Sequence, residues 1–224
     1  MGNREVPSKK EVTYLRRKIL SWFKENGRHH YPWRNTDDPY KVLIAEMMLQ
    51  RTRADQVEDV YKEFFDRFQG PEEVADTPQE QLNEILEPLG LRWRFSNFKS
   101  VSEDLVELFD GEVPSERKEL KRLTGVAQYV SGLVQSVAFG KRAWIVDSNV
   151  VRVYERFFGL DTKNEARRDS LIIEVAKLYA ETTKPREANL GLIDFGALIC
   201  TPSEKKNSNC PVRHRCVSWK ASID

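Results

Sequence analysis

Five residues, Leu123-Thr124-Gly125-Val126-Ala127, lie between two stretches of helical periodicity and constrain this chain more than any other feature. So short a connection folds the flanking helices into a tight hairpin. A hairpin of this kind suits a phosphate backbone, because its backbone N–H groups and the N-terminus of the next helix face the anion. The helix after it, Gln128 to Phe139, leads into an apolar run that ends in a single carboxylate, Asp147. That carboxylate is the kind of group that acts on whatever the hairpin holds.

The rest of the 224-residue chain reads as helices joined by short loops, with few strand signals, no repeat and no low-complexity tract. The expected fold class is all-α, as one large domain or two small ones. Glu11 to Glu25 carries Val12, Leu15, Ile19, Leu20 and Phe23 at helical spacing and stops at Asn26-Gly27. Asp37-Asp38-Pro39 starts the next helix, read here as one pattern, YKVLIAEMMLQRTRADQV. Further helices are expected over Val57–Phe68, Pro78–Leu86, Phe95–Phe109 and Ser115–Leu123, with loops at Gly70-Pro71, Pro88-Leu89-Gly90-Leu91 and Gly111. A helix capped by Asp147 or Ser148 should run to Phe158, followed by helices over Ala166–Thr183 and Asn189–Cys200.

Glu46 interrupts an apolar run, and its face-mates are Val42, Leu43, Leu49 and Gln50. A carboxylate on such a face either works in a cleft or bridges another helix end, and spacing leaves both open. Asp147 likewise reads as a plain N-cap or as a functional carboxylate. The net charge of +1 argues weakly against a nucleic-acid partner, yet basic residues cluster at Arg51–Arg53, Arg92–Lys99, Lys118–Arg122 and Arg213–Lys220. No apolar run reaches membrane-spanning length and the N-terminus lacks a signal-peptide core. Val6 stands where a myristoylation signal has Ser or Thr, so the cytoplasm is the expected compartment, with no membrane partner. Cys200, Cys210 and Cys216 cluster near the C-terminus, a pattern that reads as a metal site before a disulfide framework, or else as small buried apolar residues.

Three ordered blocks, HYPWRNTDDPYKVLIAEMMLQRT, LTGVAQYVSGLVQSVAFGKRAWIVDSNVVRV and LGLIDFGALIC, resemble the helix-hairpin-helix (HhH-GPD) base-excision DNA glycosylases. Within that family the match is to the branch of the MutY-type adenine glycosylases and the G:T mismatch thymine-DNA glycosylases of thermophiles. The resemblance runs from about Leu15 to Cys216. It implies two lobes with the active cleft between them: a six-helix barrel bearing the hairpin, here 31–140, and a second lobe of 1–30 with 141–224, whose C-terminal cysteine loop spans 200–216. It also implies bent double-stranded DNA as partner, a target nucleotide flipped out of the stack, and action as a monomer.

The residue roles that follow come from the resemblance. Asp147 falls on the family's catalytic aspartate, which stabilises positive charge developing on the deoxyribose; a helix N-terminus favours its ionised form. Glu46 falls on the glutamate that protonates the leaving base or orders water in the adenine branch. Tyr129 stands where bifunctional relatives place a Schiff-base lysine, and a phenol forms no imine, so strand cleavage is expected to be weak or absent. Gln50 and Leu91 fall where the family inserts residues into the space the flipped base leaves. Leu123, Gly125, Ala127 and Gln128 mark the DNA-binding hairpin, Asn149 supports the backbone or abasic sugar, and Arg51, Gln128 and Arg152 are phosphate or orphan-base candidates.

Two departures from the family pattern stand out. The hairpin differs from LPGVG at Thr124 and Ala127, and Ala at a glycine position costs about 1 kcal/mol where φ is positive. The cluster pattern C-x6-C-x2-C-x5-C keeps Cys200, Cys210 and Cys216 but has Asn207 in its second place. A [4Fe–4S] cluster on three thiolates, another metal (with His214 as a further zinc ligand), and a loop without metal all remain open; the chemistry itself needs no cofactor. The sequence ends eight residues past Cys216, without the additional C-terminal domain of the adenine branch. With Tyr129, this favours a monofunctional glycosylase removing thymine or uracil opposite guanine. Adenine removal opposite guanine or oxidised guanine, or a DNA-binding relative without activity, are the alternatives.

Overall fold

The computed structural model describes residues 4–162, 165–203 and 207–221. The all-α expectation holds, and no β-strand occurs among the described residues. In chain order the helices are α1 (Lys9–Asn26), α2 (Pro39–Met48), α3 (Ala54–Arg67), α4 (Pro71–Asp76), α5 (Gln79–Leu86), α6 (Ser96–Phe109), α7 (Arg117–Leu120), α8 (Gln128–Val137), α9 (Ser148–Phe158), α10 (Ser170–Ala180), α11 (Pro185–Leu198) and α12 (Val217–Lys220). The chain divides into two compact units, one of residues 29–139 and one formed by 1–28 with 140–224. No helix among the described residues is long and apolar enough to cross a membrane.

Local chemistry starts the principal helices. Ser8 caps α1 through a reciprocal capping box, its hydroxyl accepting from the Glu11 N–H at 3.3 Å while the Glu11 carboxylate accepts from the Ser8 N–H at 2.9 Å. Val12, Leu15, Ile19 and Phe23 then form one buried stripe that packs on α10 and α11. Gly27 ends this helix in extended backbone (φ −67°), so the asparagine–glycine pair stops α1 without a left-handed cap. In the other unit Asp38 caps α2, accepting from Tyr40 N–H (2.9 Å) and Lys41 N–H (3.1 Å), with Pro39 at the first helical position. α2 packs on α3 and α8, and α4 lies against α6.

Several boundaries differ from the sequence reading. The pattern YKVLIAEMMLQRTRADQV is two helices, because Arg51 adopts left-handed backbone (φ 60°) between α2 and α3. Gly70-Pro71 opens the short helix α4, with Pro71 at its first turn. The segment before the hairpin is helical over four residues only, Arg117–Leu120. α10 begins at Ser170 under an Asp169 cap, whose carboxylate accepts from Leu171 N–H at 3.0 Å. α11 starts at Pro185, four residues earlier than its periodicity indicates.

Candidate active site

Asp147 stands at the N-cap of α9, a helix whose buried positions are Val150, Val151, Val153, Tyr154, Phe157 and Phe158. Both carboxylate oxygens are engaged. Oδ1 accepts from the Val150 N–H at 2.7 Å, and Oδ2 accepts from the Asn149 amide Nδ2 at 3.1 Å. Capping and a chemical role are compatible, since the carboxylate is only half-buried and each oxygen keeps lone pairs. Asn149 is itself oriented, its Oδ1 accepting from Arg152 Nη2 at 2.7 Å. Arg152 also donates to the carbonyls of Gly196 and Cys200, both at 2.7 Å. These bonds occupy Nε and Nη2 of Arg152, which holds Asn149 in place whatever else it contacts. A Cβ at Gly196 would come within 2.9 Å of the Asn149 Cβ, so glycine is what lets α11 lie against the residue that holds Asp147.

The hairpin lies in the 29–139 unit. Gly125 is left-handed (φ +78°), and a Cβ there would meet the Met47 methyl at 3.3 Å and the Asn97 amide at 3.4 Å. The turn closes with Val126 N–H donating to Leu123 O at 3.1 Å. Leu123 and Val126 point into the core, so of the expected DNA contacts Leu123 offers its backbone and not its side chain. Ala127 has φ −92° and ψ −175°, extended backbone that any residue adopts, so the strain expected of alanine there is absent. Thr124 brings an N–H that proline would lack, and the Asp104 carboxylate accepts from it at 2.6 Å. Gly125 and Ala127 are exposed, Gln128 and Tyr129 are half-buried in the first turn of α8, and Lys118, Lys121 and Arg122 are exposed on the approach.

Glu46 is buried on α2, 7% exposed, among Val42, Leu43, Ile44, Ala45, Met47 and Met48. Gln50 is half-buried and Arg51 exposed in the turn that follows. Leu91 is 38% exposed and left-handed (φ 59°), directly after the left-handed Gly90. Sequence reasoning passed over Arg94, which is 2% exposed and joins these two turns. An arginine in a run with Arg92 and Trp93 reads as surface, and nothing local marks it as buried.

Cys200, Cys210, Cys216 and Asn207 line one small pocket with Val153, Phe157, Phe195, Arg156 and Arg213. Residues 204–206 of this loop lie outside the described residues. Burial pushes the Cys210 thiol up to about 11 and raises Cys216 as well. The Cys216 thiol donates to Arg156 O at 3.2 Å, and Arg156 Nη1 lies 3.7 Å from the Cys200 sulfur. Asn207 does not present itself as a fourth ligand. Its Oδ1 accepts from Asn209 N–H at 2.9 Å and its Nδ2 donates to Ile199 O at 3.5 Å. Among the described residues no three histidine, cysteine or acidic side chains gather as a metal-holding group, and a four-thiolate cluster does not fit three cysteines and an engaged amide.

The family profile described as HhH-GPD superfamily base excision DNA repair protein matches residues 44–177, a span that holds Glu46, the hairpin and Asp147. The thymine/uracil-DNA glycosylase of Pyrobaculum aerophilum is 36% identical over 223 residues, covering 96% of each chain. A solved structure of a thermostable thymine-DNA glycosylase superposes with a TM-score of 0.89 at 33% identity, over 95% of this chain and 98% of the other. A non-covalent endonuclease III–DNA complex superposes with a TM-score of 0.80 at 25% identity, over 97% of this chain and 99% of the other. By its profile and its near end-to-end similarity, the chain belongs to the HhH-GPD superfamily of base excision DNA repair proteins.

Proposed function

We propose that this protein is a monofunctional DNA glycosylase that hydrolyses the N-glycosidic bond of thymine or uracil mispaired with guanine. The observation that carries the reading is Asp147, a carboxylate fixed by the Val150 N–H and the Asn149 amide at a helix N-terminus. The choice of base is supported by the thymine/uracil-DNA glycosylase matched along nearly the whole chain.

The chemistry follows from these residues. As the bond to the base lengthens, positive charge grows on the deoxyribose, and a fixed anion beside C1′ stabilises that charge without reorganising. The two donors on Asp147 hold its geometry. Glu46, on an apolar helix face, orders the attacking water or hands a proton to the leaving base. The exposed backbone at Gly125 and Ala127, with Lys118, Lys121 and Arg122 close by in sequence, takes the phosphates of duplex DNA. Tyr129 offers no amine, so the abasic product leaves without a covalent intermediate and the strand stays intact. The enzyme works as a monomer.

Base release from labelled duplexes holding G:T, G:U, G:A or oxidised-G:A pairs tests this directly. Products are expected from G:T and G:U, with strand breaks appearing only after alkali. Release confined to the adenine-containing pairs assigns the protein to the adenine branch. Breaks without alkali overturn the role given to Tyr129, and binding without release from any duplex overturns the glycosylase reading.

The cysteine loop serves stability and not the reaction. Cys200, Cys210 and Cys216 line one pocket with Arg156 and Arg213, whose charge would favour an anionic cluster with no protein ligand at its fourth corner, though the three sulfurs would have to draw together to hold it. Protein purified without oxygen is expected to show a visible sulfur-to-iron absorption band that fades on exposure to air. A band stable in air contradicts the open corner, and a colourless protein contradicts the cluster.

A further inference from the structure

Two turns of the 29–139 unit place ordinary side chains in left-handed backbone, Arg51 (φ 60°) and Leu91 (φ 59°). Conformations of this kind cost on the order of 1 kcal/mol each and persist where surrounding structure imposes them. Here one side chain reaches both turns. The Arg94 guanidinium donates from Nη1 to Met47 O at 3.3 Å and to Gln50 O, and from Nη2 to the Thr52 hydroxyl at 2.6 Å and Leu89 O at 3.5 Å. Thr52 continues the join, its hydroxyl donating to Leu89 O at 3.2 Å, and Gln56 donates to Pro88 O. Arg92, two residues away, stays exposed and pairs with Glu87, so a single arginine of the run is turned inward.

Burying a guanidinium is expensive unless its donors are matched. Both terminal nitrogens of Arg94 are matched, to the carbonyls of Met47, Gln50 and Leu89 and to the Thr52 hydroxyl, while its buried Nε finds no partner, and these bonds stiffen the two turns together. The turns carry the side chains of Gln50 and Leu91, the latter an exposed leucine in a loop. Opening a base stack costs a few kcal/mol per step. A wedge that must also be ordered on contact adds that entropy to the cost, whereas a wedge held in advance does not. We infer that Arg94 is a positioning residue that clasps the Gln50 and Leu91 turns into one preformed wedge for extruding the target nucleotide. The inference rests on the glycosylase reading and names the device that serves it.

The test separates extrusion from the chemical step. Arg94→Met is compared with the unaltered protein on a G:U duplex in ordinary pairing and on one whose G:U pair is flanked by mismatches, where extrusion is easier. Single-turnover release from the paired duplex is expected to fall about tenfold or more, and from the flanked duplex less than about threefold. A 2-aminopurine beside the target should brighten less with the variant at saturating protein. Thr52→Val removes one contact of the clasp and should shift both readouts the same way by a smaller factor, which keeps the test open if Arg94→Met unfolds. Equal losses on the two duplexes, or unchanged fluorescence in both variants, overturn the clasp while leaving the glycosylase reading intact. Neither base release nor a fluorescence rise with the unaltered protein overturns both.

Discussion

Asp147→Asn is expected to lower single-turnover release of thymine or uracil by about 10²- to 10³-fold, the usual effect of losing one preorganised electrostatic group at a transition state. The substitution is chosen because asparagine caps a helix about as well as aspartate. α9 should therefore start at the same place, and Arg152 should still hold Asn149 through its Oδ1. What disappears is the negative charge and, because asparagine has a single oxygen for the Val150 N–H, the acceptor that the Asn149 amide uses. Duplex binding, measured by electrophoretic shift, should stay within about threefold, because the amide still fits and the phosphate contacts proposed for the hairpin lie elsewhere in the chain. Release within tenfold of the unaltered protein would remove Asp147 from the mechanism, and loss of binding in step with release would make its role structural.

The largest stability effect is expected at Asp194. It is fully buried on α11 and accepts three hydrogen bonds from Arg28: the backbone N–H at 2.9 Å, Nε at 2.9 Å and Nη2 at 2.6 Å. Arg28 is the last residue of the N-terminal segment of its unit, so this carboxylate pins the point where the chain departs toward residues 29–139. Asp194→Ala leaves a guanidinium and a backbone N–H without their acceptor, which costs about 3 kcal/mol for a pair of this burial. For a chain of this length the midpoint of thermal unfolding should fall by roughly 10 °C. Asp194→Asn, which keeps an acceptor but loses the charge, should fall between the two. Thermal melts followed by circular dichroism read this directly, and a shift of under about 2 °C for the alanine variant would mean that water replaces the pair without loss.

Much of this molecule could be read from short stretches of chain. The Asp38-Pro39 start of α2, the stripe on α1 and the Asp147 cap of α9 depend on neighbours within a turn or two, where spacing and side-chain chemistry suffice. Gly125 could be read in the same way, because a left-handed turn favours a residue without Cβ. Asp147 and Glu46 were also visible, one as a carboxylate at a helix start and the other as a charge inside an apolar run. Their chemical roles came from the family likeness and not from spacing, which leaves a cap and a catalyst looking alike.

Other features depended on groups far apart in sequence. The pattern after Tyr40 continues through Gln50 with no proline or glycine to break it, yet α2 ends at Met48. A buried guanidinium 44 residues beyond Gln50 takes the Met47 and Gln50 carbonyls and braces the chain through a left-handed residue. Arg152 looked like a surface cation until the carbonyls of Gly196 and Cys200 received it. Ala127 looked like a strained glycine substitute until its backbone proved extended, and Thr124 gained its partner from Asp104, twenty residues earlier. The sequence by itself determined the helices, their caps and the residue types fit for the chemistry, because those rest on contacts within a turn or two. Only the tertiary structure decided which arginines are buried, where α2 stops and what orients Asn149 beside Asp147. Those outcomes depend on unpaired donors and acceptors finding each other across the fold, and no local pattern encodes that match.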